Sequence, residues 1–248
     1  MIAALVHWYM PFSPCMLQAE RLIREGAIGR VLEVRMRVGH AGPLAPGVRH
    51  PGPEIETVSM PEEALASTWW YQAQAGGGAM IDFASYGAIV SRWFVGEQAV
   101  AVMGLRANLN SRWSDVDDNG SMMVRFREAL GICHGSWSTV DPGGAAQPVV
   151  YGTEGTLVVD ERGAEPAVKV YRGRGQVDSY SGVSLPDGRR TVAEEFIHHL
   201  ETGEPVHQTL DLHFNAEVTA ILDAAIRSAT TGRLELVSNH AWEVAAYV

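Results

Sequence analysis

The alternation of apolar and polar residues is clearest at residues 31–38, VLEVRMRV. One side of this segment would carry apolar side chains and the other Glu33, Arg35 and Arg37, which predicts a half-buried strand. Leu32, Val34, Met36 and Val38 form the apolar side. Later strand-like runs follow one another directly, with a tight connection at 153–155. A short last strand is predicted at 234–237. The longer runs are 98–107, 121–128, 131–139, 147–152, 155–160 and 167–172.

Helical spacing, with recognisable start and stop signals, occurs in four segments. Ser13-Pro14 predicts a helix start and Gly26 its end. Gly76-Gly77-Gly78 opens a segment that is apolar nearly all round and runs to Val95, which predicts a buried helix. Thr191 and Glu194 predict a capping box for a helix that stops at Gly203. The last helix would run from about Asp211 to Thr231, and 39–66 would be a long loop with one short helix after Pro61.

The order of these elements predicts the fold class. Strands follow one another without intervening helices, so most pairings should be antiparallel, and helices should cover one face of an open-faced sheet. We therefore expect a single α+β domain over residues 1–248. The βαβαβ alternation of a doubly wound nucleotide-binding fold is missing.

Charge and composition restrict the classes of partner. The chain has 29 acidic and 19 basic residues, a formal net charge of −10, and this disfavours a nucleic-acid partner. It has neither an 18-residue apolar run nor a signal-peptide pattern at its start, so we expect no membrane association. Two distant cysteines, Cys15 and Cys133, suggest a reducing, cytoplasmic setting. The basic residues include a single lysine, Lys169.

The glycine run at 76–78 has two interpretations that the sequence leaves open. Backbone N–H groups at the start of a helix can hold an anion or contact a substrate, which would make Gly77 and Gly78 binding residues. Alternatively, the glycines let the backbone approach another segment closely. As a dinucleotide fingerprint the run fails, because Ile81 stands at the sixth position and no βαβ unit surrounds it.

Asp82 and Tyr86 are the candidate catalytic residues. They are four residues apart on an otherwise apolar helix, so both side chains should lie on one face. A phenol held near a carboxylate can donate a proton to a developing alkoxide. The alternative is a structural aspartate that caps a nearby loop.

Other candidates are aromatic residues and histidines. Trp69, Trp70 and Tyr71 precede the glycines and could stack on a sugar ring, or could equally belong to the core. The nine histidines show no metal-binding spacing, and Asp211 with His213 is the nearest approach to a ligand pair, so we expect no metal.

Several segments together resemble the Gfo/Idh/MocA oxidoreductases. SPCMLQAERLIREGAIGRV at 13–31 is similar to their "R..P....A..LI..G.IG.V" segment, and WWYQAQAGGGAMIDFASYGAIVSRWFVG at 69–96 to their "W......GGG...D.G.H..D....L.G" block. YGTEG at 151–155 resembles their "G.eG.l" turn, and 195–237 resembles their closing segment. The similarity runs over nearly the whole chain in order.

The resemblance implies the substrate-binding and dimerisation domain of that family, without its N-terminal Rossmann domain. Asp82 matches the first motif aspartate. Tyr86 stands at the usual catalytic histidine, where one branch of the family has a tyrosine as proposed acid/base. Ile89 replaces the second aspartate. The family's E-K-P motif is absent, and Lys169 does not match it, so Tyr86 would lack a cation that lowers a phenol's pKa.

Three functions follow from this resemblance. The first is an oxidoreductase component that shapes a sugar- or polyol-type site while a partner supplies the NAD(P) domain; alone, the chain would bind no cofactor. The second is a repurposed binding module, or a proton-transfer enzyme that works without NAD. The third is a dimerising remnant without catalysis. The resemblance also implies a homodimer through the open sheet face.

Overall fold

A computed structural model of the chain describes residues 10–45, 60–140, 147–161 and 164–237. Within these ranges nine strands form one open sheet, in the order β8-β7-β6-β5-β1-β4-β3-β2-β9. The strands are β1 (Val31–Gly39), β2 (Ala101–Ala107), β3 (Asn119–Arg125), β4 (Leu130–Ser136), β5 (Val149–Gly152), β6 (Thr156–Asp160), β7 (Ala167–Tyr171), β8 (Val177–Ser181) and β9 (Glu235–Leu236).

Six α-helices accompany the sheet, and their ends follow the capping signals of the sequence. Ser13 accepts a hydrogen bond from the N–H of Met16, and Thr191 accepts one from the N–H of Glu194. Asp211 caps the last helix, which ends at Gly232 in the left-handed conformation. The helices are α1 (Pro14–Arg24), α2 (Glu62–Ala66), α3 (Ala79–Asp82), α4 (Ala84–Val95), α5 (Val192–Thr202) and α6 (Leu212–Thr231).

The helices pack on one face of the sheet, as the fold class predicted. Helix α1 lies against β6, β7 and β8, α4 against β1 and β4, and α6 against β2. The core between these layers contains Val34, Val124, Val150, Leu157 and Ile221, all completely buried. Glu33, Arg35 and Arg37 alternate with the buried Val34 and Met36 and so lie on the opposite face of β1, the open sheet face.

Seven of the eight strand pairings are antiparallel, and β1 and β4 are parallel. Between β1 and β4 the chain passes through α3, α4, β2 and β3, which returns it in the same direction. The mainly antiparallel α+β prediction is therefore confirmed.

Two local predictions are wrong, and one strand was missed. The apolar segment from Gly76 to Val95 is not one helix: its helical part begins at Ala79 and breaks at Phe83, where the backbone lies against β4. Leu32 is 39% exposed instead of joining the core, because the β1–β5 register shifts between Val31 and Glu33. The strand β8 was not predicted at all.

The physical reason for the break lies in Gly135. A Cβ built there would lie 2.5 Å from the carbonyl oxygen of Ala79 and 2.6 Å from the amide nitrogen of Ala84. These atoms belong to α3 and to the first residue of α4, so the junction of the two helices rests on the strand backbone. Helix geometry alone does not encode this contact.

None of the helices in the described ranges is long and apolar enough to cross a membrane.

The contact at Gly135 predicts a large stability effect. Gly135→Ala should lower the free energy of unfolding by about 1–3 kcal/mol, because the methyl group forces backbone atoms apart. The exposed Ser179→Ala on β8 is the control and should change it by less than about 0.5 kcal/mol. Urea unfolding measures both. Equal midpoints for the two variants would contradict the close packing of α3 and α4 on β4.

Candidate functional site

Asp82 and Tyr86 lie near the carboxyl ends of the parallel strands β1 and β4. Asp82 is the last residue of α3, and Tyr86 lies in the first turn of α4. Both are partly exposed, so neither is sealed in the core. The break at Phe83 separates them, so their spacing is not that of a single regular helix. The tertiary contact at Gly135 therefore sets their relation.

A tryptophan holds Asp82. The indole N–H of Trp137 donates to Oδ2 of Asp82 at 2.9 Å. Trp137 is 1% exposed, and its ring lies 5.1 Å from that of Tyr71 in an edge contact. The indole N–H, 55 positions along the chain, fixes the orientation of the carboxylate and was not predicted.

Tyr86 lies next to Phe83, and Phe83 in turn contacts His40. The ring of Phe83 lies 6.2 Å from that of Tyr86, and the ring of His40 lies 4.4 Å from Phe83 on an edge. Nδ1 of His40 accepts a hydrogen bond from the N–H of Gly42 at 3.0 Å. Nδ1 is therefore an acceptor, which leaves Nε2 to carry the proton of the neutral ring. His40 directly follows β1, and this position after a strand was the sequence feature that could have indicated its place near the candidate site.

The single lysine lies elsewhere. Lys169 is on β7, where its ammonium donates to Oδ2 of Asp160 at 2.7 Å. This ion pair raises the pKa of Lys169, first through the hydrogen bond and then through the charge of Asp160. The ammonium therefore pairs with Asp160 on β6, and β5 separates β6 and β7 from the parallel strands β1 and β4.

The three aromatic residues at 69–71 differ in environment. Trp69 and Trp70 stack with ring centroids 4.8 Å apart, and Trp69 is 50% exposed. Tyr71 is 4% exposed, and its hydroxyl donates to the carbonyl of Pro43 at 3.2 Å. Burial, and then the charges of Asp118 and Asp82, raise the pKa of Tyr71 to about 12. Trp69 is the most solvent-exposed of the three side chains, and the buried ring of Tyr71 packs against Trp137.

The glycine run packs against the protein itself. A Cβ at Gly77 would lie 2.1 Å from the carbonyl oxygen of Trp70, so only glycine allows this approach. The backbone N–H of Ala79 donates to the carbonyl of Asp117 at 2.9 Å, and that of Met80 to Oδ2 of Asp117 at 2.8 Å. The start of α3 thus meets the protein's own carboxylate and does not fit a pyrophosphate. Contact of Gly77 or Gly78 with a substrate stays a prediction.

Asp117 and Asp118 have opposite pKa shifts, and neither was singled out from the sequence. Burial raises the pKa of Asp117, and the N–H of Met80 and the charge of Arg106 only partly oppose this. Burial acts in the same direction on Asp118, but hydrogen bonds outweigh it and lower the pKa. The donors to Asp118 are the backbone N–H groups of Leu109, Ser111 and Asn110 and the side chain of Asn119.

Metal ligands do not converge anywhere in the parts of the chain that the structure describes: no group of three or more His, Cys, Asp or Glu could hold an ion there. The Asp211–His213 pair has a structural explanation. Oδ1 of Asp211 accepts from the backbone N–H groups of His213 and Phe214 and so caps α6.

Comparison with protein families gives one match. A family model described as the GFO/IDH/MocA C-terminal domain matches residues 16–158, more than half of the chain. The match includes β1, both helices of the candidate site, and β2 to β5. A comparison with curated protein sequences gives no match.

Three solved structures that share this fold carry the names of oxidoreductases or dehydrogenases. Aldose-aldose oxidoreductase from Caulobacter crescentus, complexed with glycerol, is 20% identical with a TM-score of 0.72; the alignment covers 94% of this chain and 63% of that one. Levoglucosan dehydrogenase in complex with NADH and levoglucosan is 21% identical with a TM-score of 0.70, over 95% and 66%. An NAD binding oxidoreductase from Klebsiella pneumoniae is 18% identical with a TM-score of 0.69, over 94% and 65%.

These likenesses establish the fold. The chain spans about two thirds of the length of each of these neighbours, and 63% in the first case. A third of each neighbour therefore has no counterpart in this chain. At these identities the fold is shared, and the activity of the neighbours does not carry over by itself.

The hydrogen bond between Trp137 and Asp82 predicts a measurable coupling. Trp137→Phe, Asp82→Ala and the double variant form a cycle whose coupling free energy should be about 1–3 kcal/mol, as for a hydrogen bond to a charged group. The exposed Arg112→Ala, paired with Asp82→Ala, is the control and should couple by less than about 0.5 kcal/mol. Urea unfolding of each variant gives these values. Additive effects of the first pair would mean that the indole does not orient the carboxylate.

Proposed function

Because this chain belongs to the GFO/IDH/MocA family through its C-terminal domain, we propose that it is the substrate-binding component of an NAD(P)-dependent oxidoreductase whose nucleotide-binding domain lies in a partner polypeptide. The observation that supports this most directly is the pair Asp82 and Tyr86, partly exposed at the ends of β1 and β4. A chain that only dimerised would have no need to keep both groups accessible.

Tyr86 is the proposed acid/base residue. Its hydroxyl would exchange a proton with the oxygen of the substrate, the task for which a positioned phenol is suited. Asp82, oriented by Trp137, would hold a substrate hydroxyl through its carboxylate oxygens or support Tyr86 by its charge. The nicotinamide would accept or supply the hydride and would come with the partner.

A sugar or polyol is the proposed substrate class. The neighbours named above include an aldose-aldose oxidoreductase and a levoglucosan dehydrogenase, and both names denote sugars. In this chain, the exposed indole of Trp69 is suited to stack on a sugar ring, and Gly77 and Gly78 lie beside it along the chain.

The cofactor proposal is tested by titration of the isolated chain. We expect neither NAD nor NADP to bind with a dissociation constant tighter than about 1 mM, equivalent to roughly −4 kcal/mol. Isothermal calorimetry measures this directly. After a dinucleotide-binding partner that co-purifies with the chain is added, nucleotide binding and sugar-dependent reduction of NAD(P) should appear. Micromolar binding by the isolated chain, or turnover without any nucleotide, would contradict the proposal.

Tyr86→Phe is the variant for that complex. It should lower turnover by at least about 100-fold, the lower end for loss of a general acid/base. Its unfolding free energy should change by about 1 kcal/mol. Tyr151→Phe, on the open sheet face, is the matched control and should keep turnover. Equal activity of both variants would remove Tyr86 from the mechanism.

We also propose that two copies associate through the open sheet face. This face combines the charged side chains of β1 with exposed apolar residues of β2 and β3. Leu105 is 72% exposed and Met123 47%. Such a surface matches the mixed character of a stable interface, which buries about 800 Å² on each partner.

Sedimentation tests this association. The chain should sediment as a dimer at tens of micromolar, and Met123→Asp should give a monomer because it would bury a charge against the partner. Val140→Asp, at a position 94% exposed outside the sheet, should stay dimeric. A monomeric unsubstituted chain, or a dimeric Met123→Asp variant, would contradict the proposal.

A further inference from the structure

Helix α5 presents its polar side to the domain and its apolar side to solvent. Its apolar residues recur at the spacing of one helix face and are Val192, Ala193, Phe196, Ile197 and Leu200; we call them the α5 apolar face. Ile197 is 52% exposed and Leu200 58%. None of the five belongs to either hydrophobic cluster of the described residues. Amphipathic helices normally show the reverse arrangement.

Polar contacts attach α5 to the rest of the domain. Glu195 is 3% exposed and receives two hydrogen bonds from the guanidinium of Arg189, at 2.6 and 2.7 Å. Its Oε1 also accepts from the backbone N–H of His207 at 2.8 Å. Burial would raise the pKa of Glu195, but these partners outweigh it and lower the pKa. This anchoring fixes α5 without using its apolar side chains.

The anchor also places α5 on the helical side of the sheet. The ring of His207 lies 5.2 Å from that of Trp93 on α4, in an edge contact. Trp93 is about two turns along α4 from Tyr86. The α5 apolar face therefore lies on the same side of the sheet as the candidate catalytic residues, and the open sheet face lies on the other.

We propose that the α5 apolar face is the docking surface for the partner that carries the dinucleotide-binding domain. The inference rests on the proposed function. That function requires a nucleotide-binding domain that reaches Tyr86, and two of the solved neighbours are named for NADH or NAD binding. The α5 apolar face is an exposed apolar helix surface of the described residues, and its anchor reaches α4 about two turns from Tyr86.

The charges beside this face specify the partner further. Glu194 and Glu201 lie along one flank of α5, and the whole chain has a net charge of −10. A partner with an apolar patch and Arg or Lys beside it is complementary to this surface. A second copy of this chain is a poorer occupant, because antiparallel two-fold pairing of α5 would set the Glu194–Glu201 flank against itself.

Site-specific photo-crosslinking in the native host tests the docking surface. A benzophenone amino acid would replace Ile197 in the full chain, and in separate variants Leu105 on the open sheet face and Val140. The Ile197 variant should crosslink to a polypeptide whose sequence contains a dinucleotide-binding domain, identified by mass spectrometry. The Leu105 and Val140 variants should not crosslink to that polypeptide.

The outcomes separate the docking surface from the proposed function. If the nucleotide-binding polypeptide crosslinks at Leu105 and not at Ile197, the docking proposal is overturned and the proposed function survives. If no position gives such a polypeptide, or if Ile197 crosslinks only to a second copy or to a protein without a nucleotide domain, both are overturned.

A charge variant supplies an independent measurement on the same complex. Leu200→Asp should reduce the amount of nucleotide-binding polypeptide that co-purifies by at least about tenfold, because it places a charge at the centre of the contact. Its circular dichroism and thermal midpoint should match those of the unsubstituted chain, since Leu200 is exposed in the isolated domain. Val140→Asp is the control and should co-purify normally. Unchanged co-purification of Leu200→Asp would overturn the docking surface.

Discussion

The close contact between the α3–α4 segment and strands β3 and β4 is the constraint on which the rest of the structure depends. A Cβ at Gly120 would lie 2.5 Å from Cβ of Met80, and one at Gly135 would meet the backbone of both helices. Because these strand positions carry no side chains, the helices can rest on the sheet backbone. That contact bends the chain at Phe83 and sets Asp82 and Tyr86 on either side of the bend. Both side chains then depend on backbone packing, which holds a site more rigidly than a free loop does.

Three carboxylates lie around this contact: Asp117 and Asp118 have structural roles, and Asp82 is the candidate for a chemical one. Asp117 accepts a hydrogen bond from the N–H of Met80 at the start of α3. Asp118 accepts hydrogen bonds from the N–H groups of residues 109–111. Together they attach the loop before β3 to the region of the helix junction. Asp82, which accepts a hydrogen bond from the indole N–H of Trp137 and is partly exposed, is the carboxylate nearest to Tyr86 in sequence. Of the three, Asp82 is the carboxylate that the proposed function assigns to a substrate hydroxyl, since the other two accept hydrogen bonds from backbone N–H groups.

The sequence predicted the features that depend on local chemistry. Ser13, Thr191 and Asp211 cap helices because each side chain bonds an N–H two or three residues away, and such signals are visible in a short window. The break at Phe83 depends on Gly135, more than fifty residues away, and periodicity carries no information about it. Strand β8 (VDSYS) has a single aliphatic residue and exists through its pairing with β7. Spacing and family resemblance predicted Asp82 and Tyr86 as site residues. Trp137 and Asp117 come close to the site only through tertiary contacts, which these signals do not contain. Adjacent aspartates just before a strand were the one local signal for Asp117 that could have been used.

The open sheet face and the α5 apolar face lie on opposite sides of the sheet, and this geometry bears on how partners could combine. The open face carries Leu105 and Met123, while Ile197 and Leu200 lie on α5, which is attached to the helical layer through Glu195, His207 and Trp93. A partner bound to one surface would leave the other free, so the proposed dimer and the proposed nucleotide-binding partner do not compete. Two-fold symmetry through the open face would then direct both candidate sites outward, each on the same side of the sheet as its own copy of α5. The anchoring of α5 through Glu195 fits this arrangement, since a buried ion pair can fix the helix in position while its apolar side chains stay available for an intermolecular contact.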